Sequence, residues 1–241
     1  MAKALIEHQS SQRIKMMQKG FVTGLPILFG YLPIAITYGV LASQSGISLI
    51  ELTLMSVLVF AGAAQFMGAN MIAIGAGSIE IIIATFVLNF RHFVMSLSFM
   101  NSARALDLKW KIPLSLGVTD ESFSVSSVHK EEANQERGAY FYATLMLTAY
   151  LSWVIGSFLG GILGDIMPAA LSQSMGIALY AMFIALLIPS VKVEVRYGIV
   201  AVIAMVFNYF FSLHLDQGWA IVLSTILASY IGIFFVKVEQ K

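Results

Sequence analysis

The sequence predicts an all-α, polytopic membrane protein, a bundle of about six to eight transmembrane helices. Of its 241 residues, 59% are hydrophobic and only 11% are charged, and the mean hydropathy is +0.84. Soluble domains carry about 25% charged residues. Apolar stretches of roughly 20 residues recur along the chain, and each could cross about 30 Å of hydrocarbon as a helix. We expect helices because an open sheet leaves backbone groups unpaired in lipid.

The predicted organisation is a polar, basic arm over residues 1–19, followed by a single transmembrane domain over residues 20–241. The predicted spans lie near residues 21–43, 52–75, 79–101, 140–164, 169–189, 197–213 and 218–236. The apolar run that begins at Phe21 is longer than the roughly 7–15 apolar residues of a signal-peptide core. We therefore interpret this run as a retained first span.

The segment 112–128 is the ambiguous part of the chain. It is barely long enough to cross a membrane, and it carries Pro113, Gly117, Asp120 and Glu121. We predict that it is either a short polar span buried among other helices or a re-entrant element. The sequence leaves these two alternatives open.

Basic residues orient the predicted spans, because Lys and Arg accumulate in cytoplasmic loops. The basic residues of the arm place the N-terminus in the cytoplasm: Lys3, Arg13, Lys15 and Lys19. Counting 112–128 as a span places the C-terminus there too, but it leaves one basic group outside: Arg104, Lys109 and Lys111. Making 79–101 and 112–128 both re-entrant would return that group to the cytoplasm without changing the parity. Eight spans, and six spans with two hairpins, both stay open.

Composition and missing motifs exclude several classes of function. The chain has no cysteine, so we expect no disulfide framework and no thiolate chemistry. It has no CxxC, HExxH or GxxxxGK[ST] motif, so we expect no metal, no cofactor and no nucleotide-driven engine. The net charge of +1 gives no reason to expect a nucleic-acid partner. The sequence shows no nucleophile–base pair, so we do not expect an enzyme.

Arg91 is the most informative residue, because it lies near the middle of the otherwise apolar run 79–100. It is the only one of the 14 Lys and Arg residues inside such a run. A charge at mid-membrane costs roughly 2.5–3.5 kcal/mol on insertion scales and usually faces a protein interior or a water-filled path. Arg91 is therefore a candidate for binding a substrate carboxylate through its planar guanidinium. The structural alternative is a buried ion pair with Asp120 or Glu121.

The neighbours of Arg91 are also polar. His92 is a candidate proton relay, because histidine changes charge near neutral pH, and a hydrogen-bonded structural histidine is the alternative. Asn89 lies three residues before His92 and so on a similar helix face. We predict Asn89 as a substrate contact, with helix packing as its alternative.

A small-residue stretch, Ala61-Gly-Ala-Ala-Gln65-Phe66-Met67-Gly68, lies in the middle of the second predicted span. Small residues let helix backbones approach closely, and the lone amide of Gln65 needs a partner at that depth. Gln65 and Phe66 are predicted substrate contacts. The alternative is interhelical packing with Gln65 as a hydrogen-bonding staple, and both can hold together.

Asp120 and Glu121 form the only adjacent acidic pair in an apolar-flanked segment. Two neighbouring carboxylates in a low-dielectric setting resist ionising together, which suits a proton carrier or an ammonium site. Helical spacing puts the two side chains about 100° apart. The alternative is a short exposed loop in which both are solvated.

Several short motifs follow one another from about residue 20 to the C-terminus: Gly24-Leu-Pro26 with Gly39, Ala61-Gly-Ala-Ala-Gln65-Phe66, Leu88-Asn89-Phe90-Arg91-His92, Thr119-Asp120-Glu121, and Gly160 to Pro168. Their order and spacing resemble the AzlC family of branched-chain amino acid permeases, also called LIV-E exporters, and most closely its YgaZ-type large subunits. Members of that family usually have Leu where this chain has Phe90. That exchange is apolar for apolar.

The resemblance implies a bacterial inner-membrane exporter of branched-chain amino acids such as L-valine, and also of L-methionine. It further implies a small membrane partner of the AzlD family (YgaH-like). For a zwitterionic substrate we expect Arg91, helped by Gln65 or a half-helix N-terminus, to bind the carboxylate. Asp120 or Glu121 would take the ammonium or the coupling proton, and small and aromatic residues near Phe66 would shape the side-chain pocket. A proton gradient is the expected driving force.

Two other classes of function stay open from the residues alone. A channel or porter for another small solute would need the same buried polar set. A membrane scaffold that transports nothing would use Arg91 in a structural ion pair.

Overall fold

The computed structural model describes residues 2–164, 166–168 and 194–235, with a few isolated positions between 177 and 192. This part of the chain is helical and contains no strand. The helices are α1 (Ala2–Gln44), α2 (Leu49–Leu58), α3 (Gly62–Ala73), α4 (Ser78–Ser102), α5 (Leu108–Leu116), α6 (Asp120–Val128), α7 (Gly138–Gly164), α8 (Val195–Ser212) and α9 (Gln217–Phe235), with a 3₁₀ turn at Lys130–Asn134. The predicted span at 169–189 lies outside the described residues.

The long apolar helices confirm the predicted fold class. Among the described residues, four helices are long and apolar enough to cross a membrane: the Ser10–Gln44 part of α1, then α4, α7 and α8. They coincide with the predicted spans at 21–43, 79–101, 140–164 and 197–213. Helix α9 is a shorter apolar helix over the span predicted at 218–236. The protein is therefore an all-α, polytopic membrane protein.

The N-terminal arm is continuous with the first span. Helix α1 runs from Ala2 to Gln44, so residues 2–19 belong to the same helix as the apolar run that begins at Phe21. The division into an arm over 1–19 and a transmembrane domain over 20–241 stays a prediction, as does the cytoplasmic position of the arm.

The span predicted at 52–75 is not one helix, and this is a correction. Helix α2 ends at Leu58, α3 begins at Gly62, and Phe60 between them has φ of 42°. That left-handed conformation is a strained one for a bulky side chain. The ring of Phe60 is buried against Tyr31 and Tyr150, with centroid distances of 6.4 and 5.1 Å. Tertiary packing holds this break between the two helices, and apolar periodicity cannot reveal it.

The ambiguous segment 112–128 is also broken. Helix α5 ends at Leu116 and α6 begins at Asp120. Thr119 is the N-cap of α6: its hydroxyl accepts a hydrogen bond from the Ser122 N–H at 3.3 Å, and the Ser122 hydroxyl accepts one from the Thr119 N–H at 2.8 Å. Such a reciprocal capping box defines a helix start. This pair of short helices is predicted either to span the membrane or to re-enter it, and both alternatives stay open.

Helices α1 and α7 pack backbone against backbone. A Cβ atom added at Gly160 would lie 2.1 Å from the carbonyl oxygen of Ile36, and one added at Gly39 would lie 2.2 Å from the carbonyl oxygen of Ser157. Gly156 and Gly164 continue the contact at four-residue spacing on α7. Small residues at this spacing let membrane helices approach closely. We call this pair the α1–α7 scaffold, because the two broken helix pairs lie against it.

Candidate functional site

The two helix breaks and the middle of α4 meet at one polar cavity of about 30 Å³. Helix α1, the α2–α3 break, α4, the start of α6 and α7 all contribute to its lining: Tyr31, Phe60, Gly62, Ala63, Arg91, His92, Thr119, Asp120, Glu121 and Trp153. This volume has room for a water molecule or two, whereas small-molecule pockets measure roughly 300–1,000 Å³. The predicted proton-coupling residues and Arg91 are therefore brought together around one small cavity.

Arg91 forms an ion pair with Asp120. Its Nη1 atom lies 3.0 Å from Oδ2 of Asp120, and the two side chains are 33% and 28% exposed. Asp120 is in the first turn of α6, where the helix dipole favours a negative charge. The Nε atom of Arg91 is buried without a hydrogen-bond partner. The predicted pair is thus present, and one guanidinium nitrogen keeps an unused donor.

Glu121 contacts a different set of groups from its neighbour Asp120. The hydroxyl of Tyr31 on α1 hydrogen-bonds to the Glu121 carboxylate and lies 2.7 Å from the hydroxyl oxygen of Thr119. Tyr31 is itself buried, with its ring packed edge-on against Trp153 at a centroid distance of 5.4 Å. The two acids are therefore not solvated in a loop. Each is held by a separate element.

His92 joins α4 to the break between α5 and α6. Its Nδ1 atom lies 2.9 Å from the carbonyl oxygen of Val118. Because a carbonyl only accepts, Nδ1 carries the hydrogen, and in a neutral ring Nε2 then has a free lone pair. Nε2 is buried, and no residue in the described part of the chain forms a hydrogen bond with it. His92 thus combines a structural hydrogen bond with an unused nitrogen, and its predicted proton-relay role stays a prediction.

Gln65 is an interhelical staple. It is 1% exposed; its Nε2 donates to the Ser56 hydroxyl at 2.8 Å, and its Oε1 accepts from Nε1 of Trp153 at 2.8 Å. Ser56 in turn donates to Ser157 at 2.7 Å, so the network ties α2 and α3 to α7. Both ends of the amide are satisfied within the protein. This geometry favours the staple alternative, and a substrate contact by Gln65 stays a prediction.

Phe66 and Asn89, the other predicted substrate contacts, lie outside the lining of the polar cavity. Phe66 is 3% exposed and packs edge-on against Tyr38 at 5.5 Å. The Oδ1 atom of Asn89 is buried without a hydrogen-bond partner. Asn89 lines two larger, mainly apolar cavities beside α4, one of about 380 Å³ that it shares with His92 and one of about 430 Å³ that it shares with Gln65.

The cavity of about 380 Å³, which His92 lines, adjoins the polar cavity. We call it the α4–α5 groove; Phe60, Asn89, His92, Ser96 and Val118 are among its lining residues. Its volume of about 380 Å³ falls in the range of small-molecule pockets. His92 and Phe60 line both spaces. An arrangement of charged groups beside an apolar groove can bind a small molecule with a charged end and an apolar end.

Sequence reasoning did not predict a site role for three hydrogen-bonding residues of this cavity. Tyr31 carries a hydroxyl and Trp153 an indole N–H, and both residues lie inside apolar runs. Such groups usually have a hydrogen-bond partner when they are buried. Thr119 carries a start signal for a helix, because a Thr followed three residues later by Ser can form a reciprocal cap. These signals mark the residues as hydrogen-bonded. They do not say that Tyr31 and Glu121 meet across 90 residues of chain.

Comparisons with known proteins agree with this architecture. A membrane protein of Archaeoglobus fulgidus is 34% identical over 187 residues, which cover 76% of this chain and 80% of that protein. The branched-chain amino acid transport protein AzlC of Bacillus subtilis is 29% identical over 75% of this chain and 70% of its own length. The inner membrane protein YgaZ of Escherichia coli is 26% identical over 71% of this chain and 72% of its own length. No solved structure matches the chain at a significant level.

The family comparison is decisive. The model of the AzlC protein family matches residues 26–167, which include α2 to α7, both helix breaks and every residue of the polar cavity. This match covers more than half of the 241 residues. The chain is a membrane protein of the AzlC family.

Proposed function

We propose that the chain is the large subunit of an inner-membrane exporter of branched-chain amino acids. L-valine is the leading substrate and L-methionine a further one, and the proton gradient drives export. Membership of the AzlC family and a relative named as a branched-chain amino acid transport protein support the substrate class. The observation that carries the proposal is the Arg91–Asp120 pair at the point where two broken helices converge.

Broken helices are a feature of secondary transporters. Their substrates bind where unwound helices expose free backbone groups, and half-helix N-termini point at anionic groups. Gly62 and Ala63 at the N-terminus of α3 line the same cavity as Arg91. The first N–H groups of a helix have no partner within it, so they can assist Arg91 in binding a carboxylate.

A zwitterionic amino acid matches the charges and the shape of this region. Arg91 would bind the carboxylate, Asp120 the ammonium, and the α4–α5 groove the apolar side chain. The polar cavity of about 30 Å³ is too small for a whole amino acid, so the Arg91–Asp120 pair must separate as substrate enters. Gln65 would act indirectly, by holding the α2–α3 break against α7.

The proposal extends to orientation and to a partner. Both termini would face the cytoplasm, and a small AzlD-type (YgaH-like) membrane subunit would be required for transport. Basic residues at the predicted cytoplasmic ends support the orientation. A reporter that is active only in the periplasm, fused after Lys241, should stay inactive, and an active reporter would contradict this topology.

Counterflow of labelled L-valine tests the transport proposal directly. Vesicles loaded with unlabelled valine and containing this chain with its small partner should accumulate labelled valine transiently. Vesicles with either subunit alone should not accumulate labelled valine. Vesicles loaded with excess unlabelled L-methionine instead of valine should also support counterflow when both subunits are present. Equal uptake by vesicles with and without the protein would contradict the proposal. It would favour the scaffold alternative, in which the Arg91–Asp120 pair only holds α4 to α6.

A further inference from the structure

We infer that Glu121 is the site that binds the coupling proton, with Tyr31 as its positioning residue, while Asp120 stays ionised as the counter-ion of Arg91. This inference rests on the proposed function, because a coupling proton presupposes gradient-driven export. It assigns different roles to two adjacent acids that look equivalent in the sequence. It also gives a role to Tyr31, which sequence reasoning did not single out.

The first observation is that the two carboxylates have different kinds of partner. Asp120 has a cation, Arg91, at 3.0 Å. The hydrogen-bond partner of Glu121 is a neutral hydroxyl, that of Tyr31, whose oxygen also lies 2.7 Å from the Thr119 hydroxyl. Among the described residues, no basic side chain forms an ion pair with Glu121. Of the two acids, Asp120 is therefore the one whose charge is needed to pair a cation.

The second observation is the charge balance of the polar cavity. The titratable and charged groups that line it with Glu121 are Tyr31 on α1, Arg91 and His92 on α4, and Asp120 on α6. The residues contributed by the α2–α3 break and by α7 carry no charge. With both acids ionised, two negative charges face one fixed positive charge. One proton on Glu121 makes the cavity neutral and leaves the Arg91–Asp120 pair intact, whereas a proton on Asp120 breaks that pair.

The third observation is that the partners of Glu121 suit both of its protonation states. A hydroxyl can donate and accept, whereas an arginine guanidinium can only donate. The Tyr31 hydroxyl donates to the ionised carboxylate, and the same oxygen can accept a hydrogen bond once the carboxyl is protonated. The proton joins a carboxylate oxygen from water on one side of the membrane and leaves to water on the other. No other bond is made or broken.

His92 is a less suitable proton site in this geometry. Its Nδ1–H is already engaged with the carbonyl oxygen of Val118. A proton added to Nε2 would create a buried cationic N–H, and the described residues provide no acceptor for it. Unlike Glu121, His92 would therefore gain a charge beside Arg91 when it takes up a proton.

The test uses this chain with its small partner in vesicles and measures two activities, valine counterflow and valine transport driven by an imposed pH gradient. In the Glu121→Gln variant, the rate of gradient-driven transport should fall at least tenfold while counterflow persists. The remaining gradient-driven transport should not depend on pH. Asp120→Asn should lose both activities, because it removes the counter-ion of Arg91. Glu131→Gln, at an exposed glutamate of the connector, is the matched control and should behave as wild type.

Tyr31→Phe separates positioning from folding. It removes only the hydroxyl, so gradient-driven transport should persist with its pH profile shifted by about one unit, while counterflow at the optimum changes less than threefold. Glu121→Asp keeps a protonatable group and should stay coupled, which covers the case in which Glu121→Gln does not fold.

The outcomes separate the inference from the proposed function. Gradient-driven, pH-dependent transport by a folded Glu121→Gln variant would overturn the inference. So would uncoupling by Asp120→Asn or His92→Gln while Glu121→Gln stays coupled. Absence of valine counterflow in the wild type would overturn the proposed function, and the inference with it.

Discussion

The α1–α7 scaffold and the broken-helix region around α4 are built in opposite ways. In the scaffold, glycines bring two long helices so close that a single added Cβ would lie 2.1 Å from a backbone oxygen. Around α4, the chain interrupts two helices and brings Arg91, His92, Asp120 and Glu121 to one cavity. The backbone contacts between α1 and α7 leave no space for an added atom at Gly39 or Gly160, whereas the broken region is held by hydrogen bonds and by the Arg91–Asp120 ion pair.

This difference indicates how the two regions should respond to substitution. Close backbone packing cannot relax around an extra atom, so changes in the scaffold should affect folding. A polar cavity at helix breaks can rearrange, and broken helices in transporters adjoin the substrate site. Changes there should affect transport more than folding. The following predictions test this contrast, from the largest expected effect to the smallest.

The largest effect is expected for Gly160→Ala in the scaffold. The new methyl group would lie 2.1 Å from the Ile36 carbonyl oxygen, so α1 and α7 must move apart. Overpacking typically costs about 1–3 kcal/mol and occasionally more, and here the obstacle is backbone. We expect little folded protein, measured as the monodisperse fraction after extraction in detergent. Gly30→Ala is the matched control in α1, because a Cβ at Gly30 has no atom within 4 Å; equal yields would contradict the scaffold model.

An intermediate effect, on transport alone, is expected for Arg91→Lys. Lysine keeps the charge, but it lacks the planar fork that can hold a carboxylate and uses a single point of contact. Valine export should fall by more than tenfold while the yield of folded protein stays close to wild type. Arg104→Lys, at an exposed arginine that binds Asn101, should export normally. Wild-type export by a well-expressed Arg91→Lys protein would remove Arg91 from the substrate site.

The smallest effect is expected where the two regions are joined, at the Gln65 staple. Gln65→Leu keeps the approximate volume and removes the hydrogen bonds to Ser56 and Trp153. Interhelical hydrogen bonds in membranes contribute about 0.6 kcal/mol on average and up to about 1.7 kcal/mol. Thermal unfolding in detergent should show a loss of unfolding free energy in this range. A double-mutant cycle with Trp153→Phe isolates the pair; additive losses would mean that the amide and the indole do not cooperate.

Much of the fold could be predicted from apolar length and composition. The runs near 21–43, 79–101, 140–164 and 197–213 are helices, because a chain in lipid must pair its own backbone groups. The break at Phe60 could not be predicted in this way. Its nearest flanking residues are apolar, and the break depends on aromatic partners that are distant in the sequence. The pattern Gly156, Gly160, Gly164 was a readable signal of close helix packing, although it did not identify α1 as the partner.

The candidate site was also predictable from the sequence in part. A lone arginine in an apolar run is costly in lipid, so its presence alone marked Arg91 as an interior residue. The adjacent acids Asp120 and Glu121 were marked for a different reason, because two neighbouring carboxylates in an apolar-flanked segment resist ionising together. Their different partners, and the involvement of Tyr31, follow from the rotation of α6 and from its distance to α1, which no local pattern contains.

Composition and apolar pattern were enough to predict the membrane environment, the helical secondary structure and the ionisable groups that are candidates for a buried site. Each of these follows from a free-energy cost that single residues carry, namely the transfer of apolar surface, unpaired backbone and charge. Tertiary structure alone decided where the helices break and which charge meets which partner. Those outcomes depend on contacts between residues that are distant in the sequence, such as Ser56 and Ser157, which are 101 positions apart, and on the close approach of α1 to α7. Packing geometry, rather than residue type, makes Asp120 the counter-ion of Arg91 and leaves Glu121 without a cation.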